Sequence, residues 1–138
     1  MECILDNQRA LKLGDARVQK IAAYYKDQGY LTITNPANHI GPDIIVISLP
    51  DGIIRKVIEV TNYVKPQIYV NNERLKRYID SLLYFRNIAN VELELVVSYK
   101  DNLSPEQHQH LEQIGIRVKV VGEQDQPQEE VNAVGWID

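Results

Sequence analysis

Two acidic residues, separated by one short turn, are the residues in this sequence best able to do chemistry. Asp43 follows Gly41-Pro42 and opens an apolar segment, and Glu59 lies within the next apolar segment. A carboxylate in an apolar strand costs free energy unless it is paired or binds a cation. Two carboxylates held together repel each other unless a proton or a cation separates them. The pair therefore indicates a site for a hard divalent cation, Mg²⁺ or Mn²⁺.

The two carboxylates are expected to face each other across a hairpin. A turn centred on Asp51 pairs Leu49 with Ile53. Counting outward from that pair places Asp43 opposite Glu59, and directly opposed residues point to the same face of a sheet. A register shift of one residue would send the two side chains to opposite faces.

Each carboxylate also has a simpler structural explanation. An Asp after a Pro is common in turns, and a Glu in a strand can pair with a neighbouring Arg or Lys. Either residue alone favours that explanation, whereas the opposed pair followed by a helix favours a metal site. The carbonyl of Val60 could then supply a further ligand.

The elements that must position this pair alternate regularly along the chain. Val18, Ile21, Ala22 and Tyr25 form one apolar helix face, after an N-cap at Asp15. Further patterns predict helices over 73–88 and from Ser104 to near Gly115, and strands over 30–34, 43–49, 53–61, 91–99 and 116–121. The order αβββαβαβ predicts an α/β fold in which a mixed sheet carries helices on both faces.

The composition is that of an ordinary globular protein of 138 residues, with 44% hydrophobic and 25% charged residues. It predicts one domain over 1–138 that can bury a core without disulfides. The one cysteine, Cys3, cannot form an internal disulfide, which favours a reducing compartment. No charged segment followed by an apolar run opens the chain, so we expect no signal peptide and a cytoplasmic protein.

Charge is distributed unevenly around a net value of −4. Residues 122–138 hold five acidic residues and no Lys or Arg, and we expect them to form an acidic, loosely held tail. Residues 55–86 hold seven basic residues and three acidic ones. A locally basic segment is compatible with DNA binding. A solvated surface of mixed charge explains the same composition equally well.

The segment Gly41-Pro42-Asp43, a hairpin, and then Glu59-Val60-Thr61 resembles the motif of the PD-(D/E)XK nuclease superfamily, which includes restriction endonucleases and Holliday junction resolvases. The order of elements from about 14 to 121 also resembles that family's core. The resemblance implies a restriction endonuclease-like fold and a magnesium-dependent endonuclease, a hydrolase of phosphodiester bonds in DNA. It also implies a metal ion held by Asp43, Glu59 and Val60.

Two positions depart from the family's motif, and both departures remove charge. Thr61 stands where the family has its catalytic lysine, and Gln19 stands where its first helix often carries a glutamate. Loss of one preorganised charge-stabilising donor costs about 10²–10³ in rate in other enzymes. Gln19 could still hold a water at the metal through its amide oxygen, and Lys65 or Lys76 could replace the missing lysine.

The resemblance further implies a DNA partner and a homodimer, since members of the family that cut both strands commonly act as symmetric dimers. Basic residues near the pair would hold the DNA backbone. The candidates for nucleic-acid binding are His39, Lys65, Arg74, Lys76 and Arg77. Each of them is also explained as an ordinary solvated side chain. His108 and His110 lie two apart on a predicted helix, do not face each other, and are read as surface residues.

Two rival interpretations remain open at this stage. In the first, Thr61 and Gln19 mark lost chemistry, and the protein is a catalytically degenerate module that binds nucleic acid or serves as a subunit of a larger assembly. In the second, the protein is an unrelated α/β protein in which Asp43 and Glu59 are structural. A sheet with the two carboxylates on opposite faces would establish the second.

Overall fold

The structure is a computed structural model, and it describes residues 16–35, 41–61 and 65–121. Three features predicted from the sequence lie outside these residues. They are the helix N-cap at Asp15, the loop residue His39 and the acidic tail over 122–138.

Three helices and one five-stranded sheet make up the described chain. Helix α1 covers 16–27, followed by β1 (Leu31–Thr34), β2 (Ile44–Ile47), β3 (Ile54–Val60), α2 (Asn72–Leu83), β4 (Glu92–Val97), a 3-10 turn (Lys100–Asn102), α3 (Pro105–Gln113) and β5 (Ile116–Val120). The strands lie in the sheet in the order β1-β2-β3-β4-β5. Neighbours are antiparallel from β1 to β3 and parallel from β3 to β5. The predicted mixed α/β fold, with helices on both faces of the sheet, is confirmed.

The two faces of the sheet bury separate apolar clusters. On one face, Val18 and Ile21 of α1 pack against Ile44 and Ile58. On the other face, α2 and α3 cover the parallel strands β3, β4 and β5. The members of this second cluster include Val57, Leu75, Ile79, Leu82, Leu95, Leu111 and Ile116. Because side chains alternate along a strand, Val57 of β3 belongs to the second cluster and its neighbour Ile58 to the first.

Local sequence signals account for the ends of α2 and α3. The Asn71 side chain accepts a hydrogen bond from the backbone N–H of Arg74 and caps α2. Ser104 and Gln107 form a reciprocal capping box at the start of α3. Helix α2 ends at Leu83, five residues earlier than predicted, and residues 84–90 form turns that lead into β4.

A buried ion pair crosses the α1 face of the sheet. The Lys56 ammonium lies 3.2 Å from the Glu94 carboxylate and 2.9 Å from the Tyr25 hydroxyl. Burial alone would lower the pKa of Lys56, but Glu94 and the Tyr25 hydroxyl outweigh it and raise that pKa. Lys56 therefore has a structural role on the face of the sheet opposite Glu59.

Within residues 16–35, 41–61 and 65–121, no helix is long and apolar enough to cross a bilayer.

Candidate metal centre

The β2–β3 hairpin sets the position of the acidic pair. Its strands pair Ile44 with Ile58 and Ile45 with Val57, a register that brings Asp43 level with Glu59 when it is extended by one residue. Side chains at opposed positions share a face. Glu59 pairs with Leu95 of β4, so this face is the one covered by α2. The opposite-face arrangement that would have established an unrelated fold with structural carboxylates is therefore not found.

The hairpin reaches this register by a different path from the one predicted. The pairing of Leu49 with Ile53 is wrong, because the Ser48 N–H bonds the Ile53 carbonyl at 2.9 Å and Ile47 pairs with Ile54. A bulge between Val46 and Ile47 then shifts the register by one residue. The shift restores the alignment that a regular hairpin centred on Asp51 would have given.

Asp43 is fixed by backbone groups on both sides. Its N–H donates to the Ile58 carbonyl at 3.0 Å, and its carboxylate accepts from the Val60 N–H at 2.7 Å. The preceding Gly41 has a φ of 123°, which other residues rarely adopt. Its missing side chain also matters, because a Cβ there would lie 3.3 Å from the Asn35 amide nitrogen. The Gly41-Pro42-Asp43 segment thus places the Asp43 carboxylate beside the end of β3.

Glu59 is almost completely buried, with 5% of its surface exposed. Burial, and then the charge of Asp43, raise the pKa of Glu59 to about 9. The two side chains hydrogen-bond to each other. At neutral pH Glu59 is therefore protonated and donates to the Asp43 carboxylate.

Asp43 is half-buried, and burial raises its pKa as well. The Val60 N–H and the Glu59 side chain act in the opposite direction, because both stabilise the ionised form. Burial and the proximity of the two carboxyl groups thus favour a pair that keeps one proton and carries one negative charge. A divalent cation would replace that proton and allow both carboxylates to ionise.

Two hydroxyl groups lie beside the pair. Thr61 is fully buried and follows Glu59 by two residues, so its side chain lies on the same face. Ser81 of α2 contacts Glu59 closely enough to lower its pKa. Both hydroxyl oxygens are buried; that of Ser81 reaches the Glu59 carboxyl, whereas that of Thr61 has no hydrogen-bond partner among the described residues.

Oxygen donors of this kind fit a hard divalent cation. Among the described residues, no group of three or more His, Cys, Asp and Glu side chains comes together. Mg²⁺ does not require such a group, because it is commonly held by one or two carboxylates with waters and substrate phosphate. The site therefore fits Mg²⁺ or Mn²⁺ better than Zn²⁺, which favours His and Cys ligands.

Gln19 is the predicted site residue that the structure does not bring to the pair. It lies on the exposed side of α1, whereas its neighbour Val18 packs on the sheet. Helix α1 covers the face opposite Glu59. A role for Gln19 at the two carboxylates therefore finds no support in the described geometry.

The predicted basic residues of α2 divide between two sides of the helix. Arg74 and Arg77 precede Ser81 by seven and four residues, so they lie on the side of α2 that reaches Glu59. Lys76 lies about 140° around the helix from Ser81, given 3.6 residues per turn. It also pairs with Asp80 at 3.0 Å. Lys76 is thus directed away from the site and does not replace the missing lysine.

Lys65 lies in the segment between β3 and α2, which a buried asparagine anchors. The amide nitrogen of Asn102 donates to the carbonyls of Lys65 and Ile68 at 2.8 and 3.1 Å. The amide oxygen of Asn102 accepts from the Tyr99 N–H at 3.0 Å. The backbone of Lys65 is therefore fixed, while its side chain is exposed.

Ser81 is the site residue that sequence reasoning missed. It lies next to Leu82, at the edge of the apolar helix face. A polar side chain at such an edge usually has no role beyond facing solvent. A small polar residue near the end of the crossover helix was the available signal. Helical periodicity cannot show which strand residue such a side chain meets.

The chain matches no protein-family model, no curated protein and no solved structure. Its described part is a mixed α/β domain with a buried carboxylate pair on the hairpin that leads into its parallel strands.

Proposed function

We propose that this protein is a metal-dependent DNA endonuclease of the PD-(D/E)XK type, with a restriction endonuclease-like fold. The observation that carries this proposal is the buried pair formed by Asp43 and Glu59 on one face of the sheet. The sequence resemblance adds the expectation of phosphodiester hydrolysis. Mg²⁺ or Mn²⁺ is the proposed cofactor.

The proposed roles follow from the contacts of each residue. Asp43 and Glu59 hold the cation, and the Val60 carbonyl is a further donor. When bound, the cation activates water and stabilises charge on the phosphate. The Val60 N–H keeps the Asp43 carboxylate in place at 2.7 Å. Arg74 and Arg77, on the side of α2 that faces the pair, contact DNA phosphates.

The uncharged Thr61 favours a second candidate function. Thr61 is fully buried, and no Lys or Arg side chain among the described residues contributes to the pKa shift of either carboxyl group. Without a charged donor, we expect turnover to be about 10²–10³ slower than with one. The alternative is a catalytically degenerate module that keeps the metal site and binds nucleic acid or joins a larger assembly.

The interface proposed for the homodimer is the exposed edge of β1. Among the described residues, β1 forms one edge of the sheet and contains no charged residue and no proline. Leu31 and Ile33 expose 45% and 49% of their surface on the side where α2 and α3 cover only the parallel strands. An uncharged edge strand is a ready template for pairing with another chain. A second copy suits it, because antiparallel pairing of β1 with itself is two-fold symmetric and brings no like charges together.

A cleavage assay tests the proposed activity. The purified protein is incubated with linear, nicked and branched DNA, each with Mg²⁺ or Mn²⁺, beside Asp43→Ala. We expect metal-dependent cleavage of at least one substrate, lost in the variant. Metal binding without cleavage by the wild-type protein would establish the degenerate module instead.

A further inference from the structure

The buried hydroxyl of Thr61 has no hydrogen-bond partner among the described residues, and the buried hydroxyl of Ser81 has Glu59 as its neighbour. A buried polar atom without a partner costs about 1–3 kcal/mol, and most such atoms are therefore hydrogen-bonded. The buried Asn102 and Gln107 side chains each bond two or more backbone or side-chain groups.

The two hydroxyls lie around the same carboxyl group. Thr61 continues the parallel ladder beyond β3, since its N–H bonds the Val96 carbonyl at 2.9 Å. Its side chain therefore lies on the same side of the sheet as that of Glu59. Ser81 approaches Glu59 from α2, which packs on that face. One hydroxyl comes from the strand and the other from the helix above it.

We propose that the Thr61 and Ser81 hydroxyls belong to the metal site, where they complete an oxygen cluster with the Asp43 and Glu59 carboxylates. Hydroxyl oxygens are hard donors that suit Mg²⁺ and its ligands, as the Ser or Thr of phosphate-binding loops shows. The Thr61 hydroxyl gains a partner when the cation binds. Its lack of a partner among the described residues then reflects a site formed for a ligand.

This inference rests on the metal-binding part of the proposed function and adds two residues to it. It gives Thr61 a role of its own, at the position where the family has lysine. It also explains why a serine lies against a buried glutamate in a helix whose other inward residues are apolar.

Two substitutions that remove only the hydroxyl test the inference. Thr61→Val keeps the shape of the side chain, and Ser81→Ala removes a single oxygen. Mn²⁺ affinity is measured by titration calorimetry, and the thermal midpoint is measured in EDTA. We expect Mn²⁺ affinity to fall about 10–100-fold, the usual effect of losing a group that supports a metal site. The thermal midpoint of metal-free Thr61→Val should stay the same or rise, because an unpartnered buried hydroxyl has been removed.

Two control variants separate this role from general effects on the fold. Ser48→Ala removes a hydroxyl that bonds Asp51 and Arg55 at the far end of the hairpin. It should lower the thermal midpoint and leave Mn²⁺ affinity unchanged. Thr61→Ser keeps the hydroxyl and should retain Mn²⁺ affinity.

The possible outcomes distinguish the inference from the proposed function. If both hydroxyl variants bind Mn²⁺ as tightly as wild type while Asp43→Asn does not bind, the inference is wrong and the carboxylate site stands. If the hydroxyl variants lose thermal stability and affinity together, the hydroxyls are structural and the inference is also wrong. If the wild-type protein binds no Mn²⁺, both the inference and the proposed metal site are overturned.

Discussion

Asp43 and Glu59 share one proton between their carboxyl groups, across the β2–β3 hairpin and beneath α2. Burial makes it unfavourable for both groups to ionise, and the Val60 N–H favours the charge on Asp43. The arrangement costs folding free energy above the pH at which a free glutamate ionises. Such a cost at a buried pair is typical of a functional site.

Glu59→Gln should make the metal-free protein more stable at neutral and alkaline pH. The pKa of Glu59 is raised from 4.5 to about 9, so the folded protein keeps a proton that the unfolded chain loses. The contribution to stability is complete below about pH 4.5, falls as the pH rises, and is lost above about pH 9. The uncharged amide removes this decline. Thermal unfolding in EDTA between pH 5 and 9 measures the change.

Glu94→Gln is the matched control for Glu59→Gln. It makes the same substitution at a carboxylate that is paired with the buried Lys56 at 3.2 Å. Breaking a buried ion pair on one side costs about 3–5 kcal/mol, so this variant should be clearly destabilised. If Glu59→Gln is destabilised to the same extent at pH 8, the shared-proton arrangement is wrong.

Arg77→Ala should weaken DNA binding more than Lys76→Ala. Arg77 lies on the side of α2 that reaches the carboxylates, whereas Lys76 is paired with Asp80 on the far side. Loss of one phosphate contact should reduce the slope of log K against log salt by about 1. Fluorescence anisotropy with labelled duplex at several salt concentrations measures this slope. Equal effects of the two substitutions would contradict the proposed DNA-binding side.

Ile33→Lys should convert a homodimer to a monomer. It places a charge on the exposed apolar side of β1, where two-fold pairing would bring the two copies of the charge together. Light scattering coupled to gel filtration gives the mass of each species. Tyr84→Lys is the control, since it changes an exposed aromatic residue at the end of α2, away from β1. A monomeric wild-type protein would rule out the proposed dimer.

The sequence predicted the face shared by Asp43 and Glu59 but not the path of the hairpin. Alternating apolar residues fix which side of a strand is buried, and this constraint is strong. The bulge at Val46 depends on how the turn residues bond one another, as the Ser48 side chain does with Asp51 and Arg55. Such contacts are not visible in periodicity. The predicted pairing at the turn is wrong by one residue, and the bulge that the sequence did not reveal shifts the register back by one residue. The two errors therefore cancel at Asp43 and Glu59.

Contacts between distant elements were the part that the sequence could not supply. Ser81 meets Glu59 only because α2 crosses back over the sheet, and the angle of that crossing depends on packing of the whole apolar face. Gln19 illustrates the same limit. The resemblance assigned it to the site, but the apolar stripe of α1 turns its side chain outward.

Titration calorimetry of the metal-free protein with Mn²⁺ tests the carboxylate site most directly, comparing wild type with Asp43→Asn in two buffers of different ionisation enthalpy. We predict one binding event in the wild type, lost in the variant. Binding near neutral pH should release about one proton, because the cation replaces the proton that the pair shares. Absence of Mn²⁺ binding, or binding that Asp43→Asn leaves unchanged, would contradict the assignment of Asp43 and Glu59 as a metal centre.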